Sequence, residues 1–323
     1  MEVVTKKIIV LYSMALIGVM LIFIAGERFF GEDFDYLAYQ KYFNTHPDNV
    51  NRIYEPFFIV LHYLNWELLE FRNITHILYF LATLTVLIKF AIIYRFSQNP
   101  LLSTIVYIGF FFMLHEYTQI RVALAMCIVI YACHYLGYWK KYFALIFLAA
   151  CFHFSIFSFL IFGPIAYYFR TTFLLLSVII SIGLAVVMGA YSEKINVIIT
   201  VYASNSFGLM GPVYNFNMFN LLNLFYTLVA VFSSILFIYG VGSSNKYFRI
   251  YVNLTLLGSI LYYTLGALGL PVLAYRLSYT MFPFMSFSLA CLSTIIAPRV
   301  LPAAIIIILS AVAFAFQVQN LTL

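Results

Sequence analysis

The sequence predicts an all-α polytopic integral membrane protein, and three observations carry that expectation. Hydrophobic residues fill 65% of the 323 positions and charged residues only 9%, where a soluble domain has about 45–50% and about 25%. The apolar residues are collected into runs of the roughly 20 residues that a helix needs to cross the hydrocarbon core of a bilayer. With 35 Phe and 27 Tyr, the apolar content is aromatic as well as aliphatic. A soluble enzyme, a nucleic-acid module, a disordered chain and a disulfide scaffold are excluded on these numbers.

The elements follow in order. Residues 8–25 form the first run, just after Lys6 and Lys7. The run is long for a signal-peptide core and no small-x-small site follows it, so it reads as a retained anchor. Residues 26–73 read as a polar loop. Within it, 57–70 is helical in pattern but too short and polar to span, which predicts an interfacial helix with Trp66 at headgroup depth. Spans are expected at 74–95, 100–116 and 119–139. The run at 142–169 is long for one span and short for two, with His153 near its middle and Gly163-Pro164 later. Further spans are expected at 171–189, 219–241, 250–268, 277–296 and 300–317, with a second loop at 190–218. No fixed-period repeat is visible, and nothing marks a second soluble domain. The whole chain, 1–323, is expected to be one transmembrane domain of about 9–11 crossings.

Charge sets the expected orientation. A net charge of +6 fits the excess of Lys and Arg on cytoplasmic loops better than it fits a nucleic-acid partner. With Lys6 and Lys7 in the cytoplasm, Arg95, Lys140, Lys141, Arg170, Lys246, Arg249 and Arg299 also fall inside. That requires 142–169 to go in and come back, as two short helices or a re-entrant hairpin, with His153 near its outward tip. Of the 11 acidic residues, only Glu2 then falls inside. Loops 26–73 and 190–218 face outward, and Lys89, within a span, is expected to snorkel. Cys127, Cys133, Cys151 and Cys291 lie in apolar runs without a CxxC pair and read as packed free thiols.

The candidate site residues cluster on the expected outer side. Arg28 precedes Gly31, Asp33, Asp35, Tyr36 and Tyr39. Glu55-Pro56 opens the interfacial helix, where Glu55 acts chemically or caps the helix. His115-Glu116 lies with Gln119 and Arg121 at a joint between spans. His153 stands with Ser155 between Phe152 and Phe154. Arg276 and Tyr279 open a late span after Pro271. Charges placed at broken or short helices are the polar signature of a membrane site. Arg binds phosphate bidentately and stays charged when desolvated, a carboxylate or His accepts a hydroxyl proton, and aromatic rings stack on sugar faces. Tyr, Phe and Asn in 190–218 suit carbohydrate or a plain aromatic belt. No HExxH element suggests a metal.

Taken in order, Arg28…Gly31-x-Asp33…Tyr36-x-x-Tyr39, Glu55-Pro56-x-Phe58, Gln119-x-Arg121-x-Ala123, Lys140-Lys141, Phe152-His153-x-Ser155 and Arg276…Tyr279 resemble the EpsG-type, or Wzy-like, family of bacterial polysaccharide polymerases. The resemblance covers roughly residues 20 to 290. Where the family usually has a Gly-Thr-Asp-Tyr-like stretch, this chain has Gly31-Glu32-Asp33-Phe34-Asp35-Tyr36, so Asp33 and Asp35 both remain candidates for the equivalent acid.

The resemblance implies a GT-C-like bundle in the bacterial inner membrane, N-terminus cytoplasmic and active site outside. It implies a polymerase of oligosaccharide repeat units on undecaprenyl diphosphate; because arginines can supply the positive charge, a metal-independent reaction without a cofactor is expected. A chain-length regulator and a flippase are the implied protein partners. Under this reading Arg28, Arg121 and Arg276 hold the diphosphate. Glu55, Asp33, Asp35 or His153 takes the acceptor proton, and Tyr36, Tyr279 and Gln119 contact sugar. Two rivals are a polysaccharide ligase, which shares the donor and differs in acceptor, and a transporter, which would spread charge through the membrane depth and carry inverted repeats.

Overall fold

The computed structural model describes residues 2–32, 34–49, 55–69, 73–190, 217–242 and 245–321. Regular structure among them is entirely helical. The helices are α1 (Glu2–Gly26), α2 (Phe34–Asn44), α3 (Pro56–Leu64), α4 (Ile74–Phe96), α5 (Pro100–Tyr107), α6 (Ile120–Cys133), α7 (Trp139–Ala150), α8 (Phe159–Tyr168), α9 (Thr171–Ala190), α10 (Leu221–Ile238), α11 (Lys246–Ala267), α12 (Pro271–Met281), α13 (Met285–Ile295) and α14 (Val300–Leu321). The protein is an all-α polytopic membrane protein.

Among the described residues, seven helical stretches are long and apolar enough to cross a membrane: Val4–Gly26, Ile74–Phe96, Pro100–Thr118, Thr171–Met188, Leu221–Ile238, Lys246–Ala267 and Val300–Gln319. The other expected crossings are short or interrupted. α6 has 14 residues. The run at 142–169 divides into α7 and α8, of 12 and 10 residues, about 18 and 15 Å long, so neither arm alone covers a hydrocarbon core of about 30 Å. The run at 277–296 divides at Pro283 into α12 and α13, joined by the 3-10 turn Phe282–Phe284.

Local chemistry sets the helix starts. Asn73, Asn99, Asn220 and Asn245 each accept a backbone N–H of the first turn of α4, α5, α10 and α11, which fills one of the donors a helix start leaves open. Pro56, Pro100 and Pro271 stand in first turns, where no N–H is required. The segment 26–73 holds two helices where the sequence suggested one. α2 forms because Tyr36, Tyr39, Tyr42 and Phe43 fall on one face and all bury. In α3, Phe58, Leu61 and His62 bury while Ile59, Val60, Tyr63 and Leu64 stay exposed.

The chain divides into two compact units, 1–160 with 289–323, and 161–288. In the first, α5 runs on as an 11-residue π-helix, Ile108–Thr118. This segment packs on α14 without a side chain at Gly109, where a Cβ would come within 2.5 Å of the Ser310 carbonyl. Gln317 Nε2 donates to the carbonyls of Gly109 and Phe110 at 3.1 and 3.0 Å. Small residues at such contacts let membrane helices approach closely. Gly109→Ala is expected to destabilise the chain by about 1–3 kcal/mol, read as a lower thermal midpoint in detergent. Gly183→Ala on α9, where nothing lies within 4 Å of the added carbon, is the control. Equal midpoints for the two variants would rule out the close approach.

The same unit corrects two expectations. Lys89 does not snorkel and Glu116 does not face outward. Lys89 Nζ lies 2.6 Å from Glu116 Oε1, with both side chains almost completely buried. Lys89 also donates to the Tyr107 hydroxyl at 2.6 Å, and that hydroxyl donates to Glu116 Oε2. π-helical winding carries Glu116 inward, and an intramembrane charge persists only when paired in this way.

In the second unit α11 is central and packs on α9, α10 and α12. Its buried Asn253 ties the chain around Tyr168: Nδ2 donates to the Ala166 and Phe169 carbonyls at 2.8 and 3.2 Å, and Oδ1 accepts from Thr171 at 2.8 Å.

Candidate functional site

The site is assembled from three breaks in the first unit. The α3 start is pinned to the α7 break: Phe57 N–H donates to the Cys151 carbonyl at 3.1 Å, and the Phe57 and Phe152 rings meet at 4.4 Å. That places Glu55, the residue before Pro56, beside His153, which is extended (φ −160°, ψ 122°) between α7 and the next 3-10 turn. α6 begins at Ile120 and sets Arg121 in its first turn.

These residues meet on one carboxylate. Arg121 Nη1 donates to Glu55 Oε2 at 2.7 Å, and His153 Nδ1 to Glu55 Oε1 at 2.7 Å. A carboxylate only accepts, so Nδ1 carries the hydrogen. Nε2 of His153 makes no hydrogen bond with a described residue. The Glu55 side chain is 5% exposed, His153 15% and Arg121 28%. Burial raises the Glu55 pKa, but the His153 hydrogen bond and the Arg121 charge outweigh it and hold the group down at about 2. A carboxylate so firmly ionised positions its neighbours and is a poor proton acceptor. Glu55 also makes no side-chain cap to α3, so the capping role open to it in the sequence is not the one it takes.

α2 lays a row of rings along this site. Arg121 Nε donates to the Tyr39 hydroxyl at 3.3 Å, and its guanidinium stands 5.8 Å from that ring. Tyr36, one turn earlier on the same face, lies 5.7 Å from the Arg28 guanidinium, which also sits 4.9 Å from the Tyr117 ring. The Tyr39 phenol is pushed up to about 12 by burial, against the opposing Arg121 charge. Arg28 has φ +52°, a left-handed backbone that costs a non-glycine residue about 1–3 kcal/mol and tends to occur at functional sites. The loop is stapled by Tyr117, whose hydroxyl donates to the Gly31 carbonyl at 2.7 Å and accepts from Phe30 N–H at 2.9 Å.

Of the residues singled out in the sequence, Arg121, Glu55 and His153 meet directly, and Arg28 and Tyr36 meet one helical turn of α2 away. Gln119 ends the π-helix and precedes α6, with no side-chain hydrogen bond to a described residue. Asp35 sits in the first turn of α2, where a carboxylate offsets the helix dipole. Asp33 lies outside the described residues, as do the Tyr, Asn and Phe positions between 191 and 216. Arg276 and Tyr279 belong to the second unit, on α12. Arg276 is exposed there and makes no side-chain bond with a described residue. Tyr39, named in the Arg28 cluster from sequence without a role, bonds Arg121, and Tyr117 had no signal in the sequence. His62 and His134 are structural: His62 packs on Tyr42 at 4.3 Å, and His134 stacks on Phe96 at 3.6 Å.

α6 and α7, about 21 and 18 Å long, pack side by side across the turn at 134–138. Among the described residues no three His, Cys, Asp or Glu side chains gather as a metal site. Residues 11–322 match the family model described as the EpsG family. No curated protein and no solved structure matches the chain.

Proposed function

This chain belongs to the EpsG family, and from that premise we propose that it polymerises oligosaccharide repeat units carried on undecaprenyl diphosphate, at the outer face of a bacterial inner membrane. Family membership supports a polysaccharide-polymerase role of glycosyltransferase type in a multi-pass membrane protein. The observation that favours the finer reading is the Arg121–Glu55–His153 constellation at the break between α7 and α8. The outer placement rests on the acidic residues, which fall almost wholly on the side opposite Lys6, Lys7, Arg95 and Lys140.

The hydroxyl oxygen of an incoming unit attacks the anomeric carbon of the growing chain. The bond from that carbon to the diphosphate oxygen breaks, and undecaprenyl diphosphate leaves with the electron pair. The hydroxyl proton passes to Nε2 of His153, whose Nδ1–H is fixed on Glu55. Arg121, partly exposed, offsets the charge that grows on the leaving diphosphate, and Arg28 adds positive potential to the same row. A single displacement inverts the anomeric centre, and no divalent ion is needed. A flippase would deliver the lipid-linked unit, and a chain-length regulator would limit the product.

The test is a gel profile of surface polysaccharide from a strain deleted for this chain. A collapse to carrier bearing one repeat unit, restored by the wild type and not by Arg121→Ala, is expected. Long polymer retained on undecaprenyl diphosphate would instead mean a ligase, and an unchanged profile would move the reading to a transporter.

A further inference from the structure

The second unit holds a polar and aromatic corner that the transfer step does not use. It lies where the start of α10, the end of α11 and the whole of α12 come together. Asn220 is saturated: Nδ2 donates to the Tyr262 hydroxyl at 3.0 Å and to a neighbouring carbonyl, and Oδ1 accepts both the backbone N–H and Nδ2 of Asn223. Asn223 Nδ2 donates as well to the Tyr279 hydroxyl at 3.2 Å. Turning the Asn223 amide over would set its oxygen against Asn220 Oδ1, so the orientation is fixed. Asn223 Oδ1 is then a buried acceptor without a donor among the described residues, a state that costs about 1–3 kcal/mol. The Tyr279 hydroxyl accepts from Asn223 and has its own hydrogen to give. Tyr275 and Tyr279 stack in parallel, centroids 5.4 Å apart and planes 10° apart, each half-buried. Exposed Arg276 lies between them in sequence, one turn from Tyr279 on α12.

We propose that this corner binds a sugar residue of the glycan, an acidic one by the presence of Arg276. One acceptor, one directed hydroxyl donor, a ring face and a cation occur together. A lipid phosphate would satisfy Arg276 and Tyr279 but donates nothing to Asn223 Oδ1. A sugar supplies hydroxyls that both donate and accept, a C–H face for the Tyr275–Tyr279 stack, and a carboxylate for Arg276. Arg276, expected from sequence to hold the diphosphate, serves the glycan instead. The proposal rests on the polymerase reading for the identity of the glycan, while the class of ligand comes from the chemistry of the corner.

The experiment uses the full chain in lipid nanodiscs. The probe is the free oligosaccharide released by mild acid from the repeat-unit lipid of the source strain, and binding is measured by calorimetric titration. Tyr279→Phe removes one hydroxyl and should weaken binding about tenfold, the size of one hydrogen bond. Arg276→Ala should weaken it at least as much and make the remainder insensitive to salt. Arg276→Ala should keep the wild-type thermal midpoint, and Tyr279→Phe, which loses the bond from Asn223, should stay folded with a midpoint only slightly lower. His153→Ala, in the other unit, should bind the oligosaccharide as the wild type does while failing to elongate. No binding by the wild type, or equal binding by wild type, Tyr279→Phe and Arg276→Ala, would overturn the sugar site and leave the polymerase reading standing. Normal elongation by His153→Ala would overturn the proposed transfer chemistry without touching the sugar site.

Discussion

His153→Ala is expected to abolish chain elongation while the protein still inserts and reaches wild-type abundance. The side chain sits at a break, partly exposed, and its one hydrogen bond with a described residue is to Glu55. Little packing is therefore lost with it. A positioned base contributes about 10²–10⁴-fold to a rate, enough to reduce a long polymer ladder to one or two units. Glu55→Gln should fall between the wild type and His153→Ala, because the amide oxygen still accepts Nδ1–H but no longer opposes the Arg121 charge. The pH dependence separates the two residues. The folded pKa of Glu55 is lowered to about 2, so its stabilising contacts are fully present above the ordinary carboxylate value of about 4.5. They are lost only as pH falls through about 2. Loss of elongation between pH 5 and 8 thus arises elsewhere than in Glu55 protonation. A His153→Ala strain with normal chain lengths would remove this residue from the reaction.

The largest effect on stability is expected from breaking the Lys89–Glu116 pair. Both groups are buried and joined at 2.6 Å, with Tyr107 bonded to each. Lys89→Met leaves Glu116 as an uncompensated buried charge, and Glu116→Leu does the same to Lys89. Each single variant should lose about 3–5 kcal/mol, seen as poor yield and a lower unfolding midpoint in detergent. The double variant should recover most of that loss, since apolar residues of similar volume can replace a buried ion pair at little or no cost. A double variant no better than either single one would show that the pair holds the π-helical segment by geometry, through Tyr107, more than by charge balance. The neighbouring Tyr117 and Arg121 make the same variants informative about elongation: a stable double variant with short chains would link the pair to the site.

The sequence alone determined the class of this protein, the positions of its long helices and the break within the stretch at 142–169. The bilayer dictates these features, because a hydrocarbon core of about 30 Å demands a run length that can be counted residue by residue. It also marked Arg28, Glu55, Arg121 and His153, because a charge at a helix break stands out in a chain with so few charges. Tertiary structure decided which of them meet. Glu55 finds Arg121 across 66 residues and His153 across 98, distances over which no local pattern carries information. It turned Glu116 inward to Lys89 through a π-helical winding that apolar periodicity does not encode. It set Tyr36 and Tyr39 beneath two arginines once α2 had formed, and it brought Asn223 to Tyr279 across 56 residues in the second unit. Run length is a property of consecutive residues, whereas the pairing of buried charges follows from how the helices pack, and low-dielectric burial made those pairings obligatory.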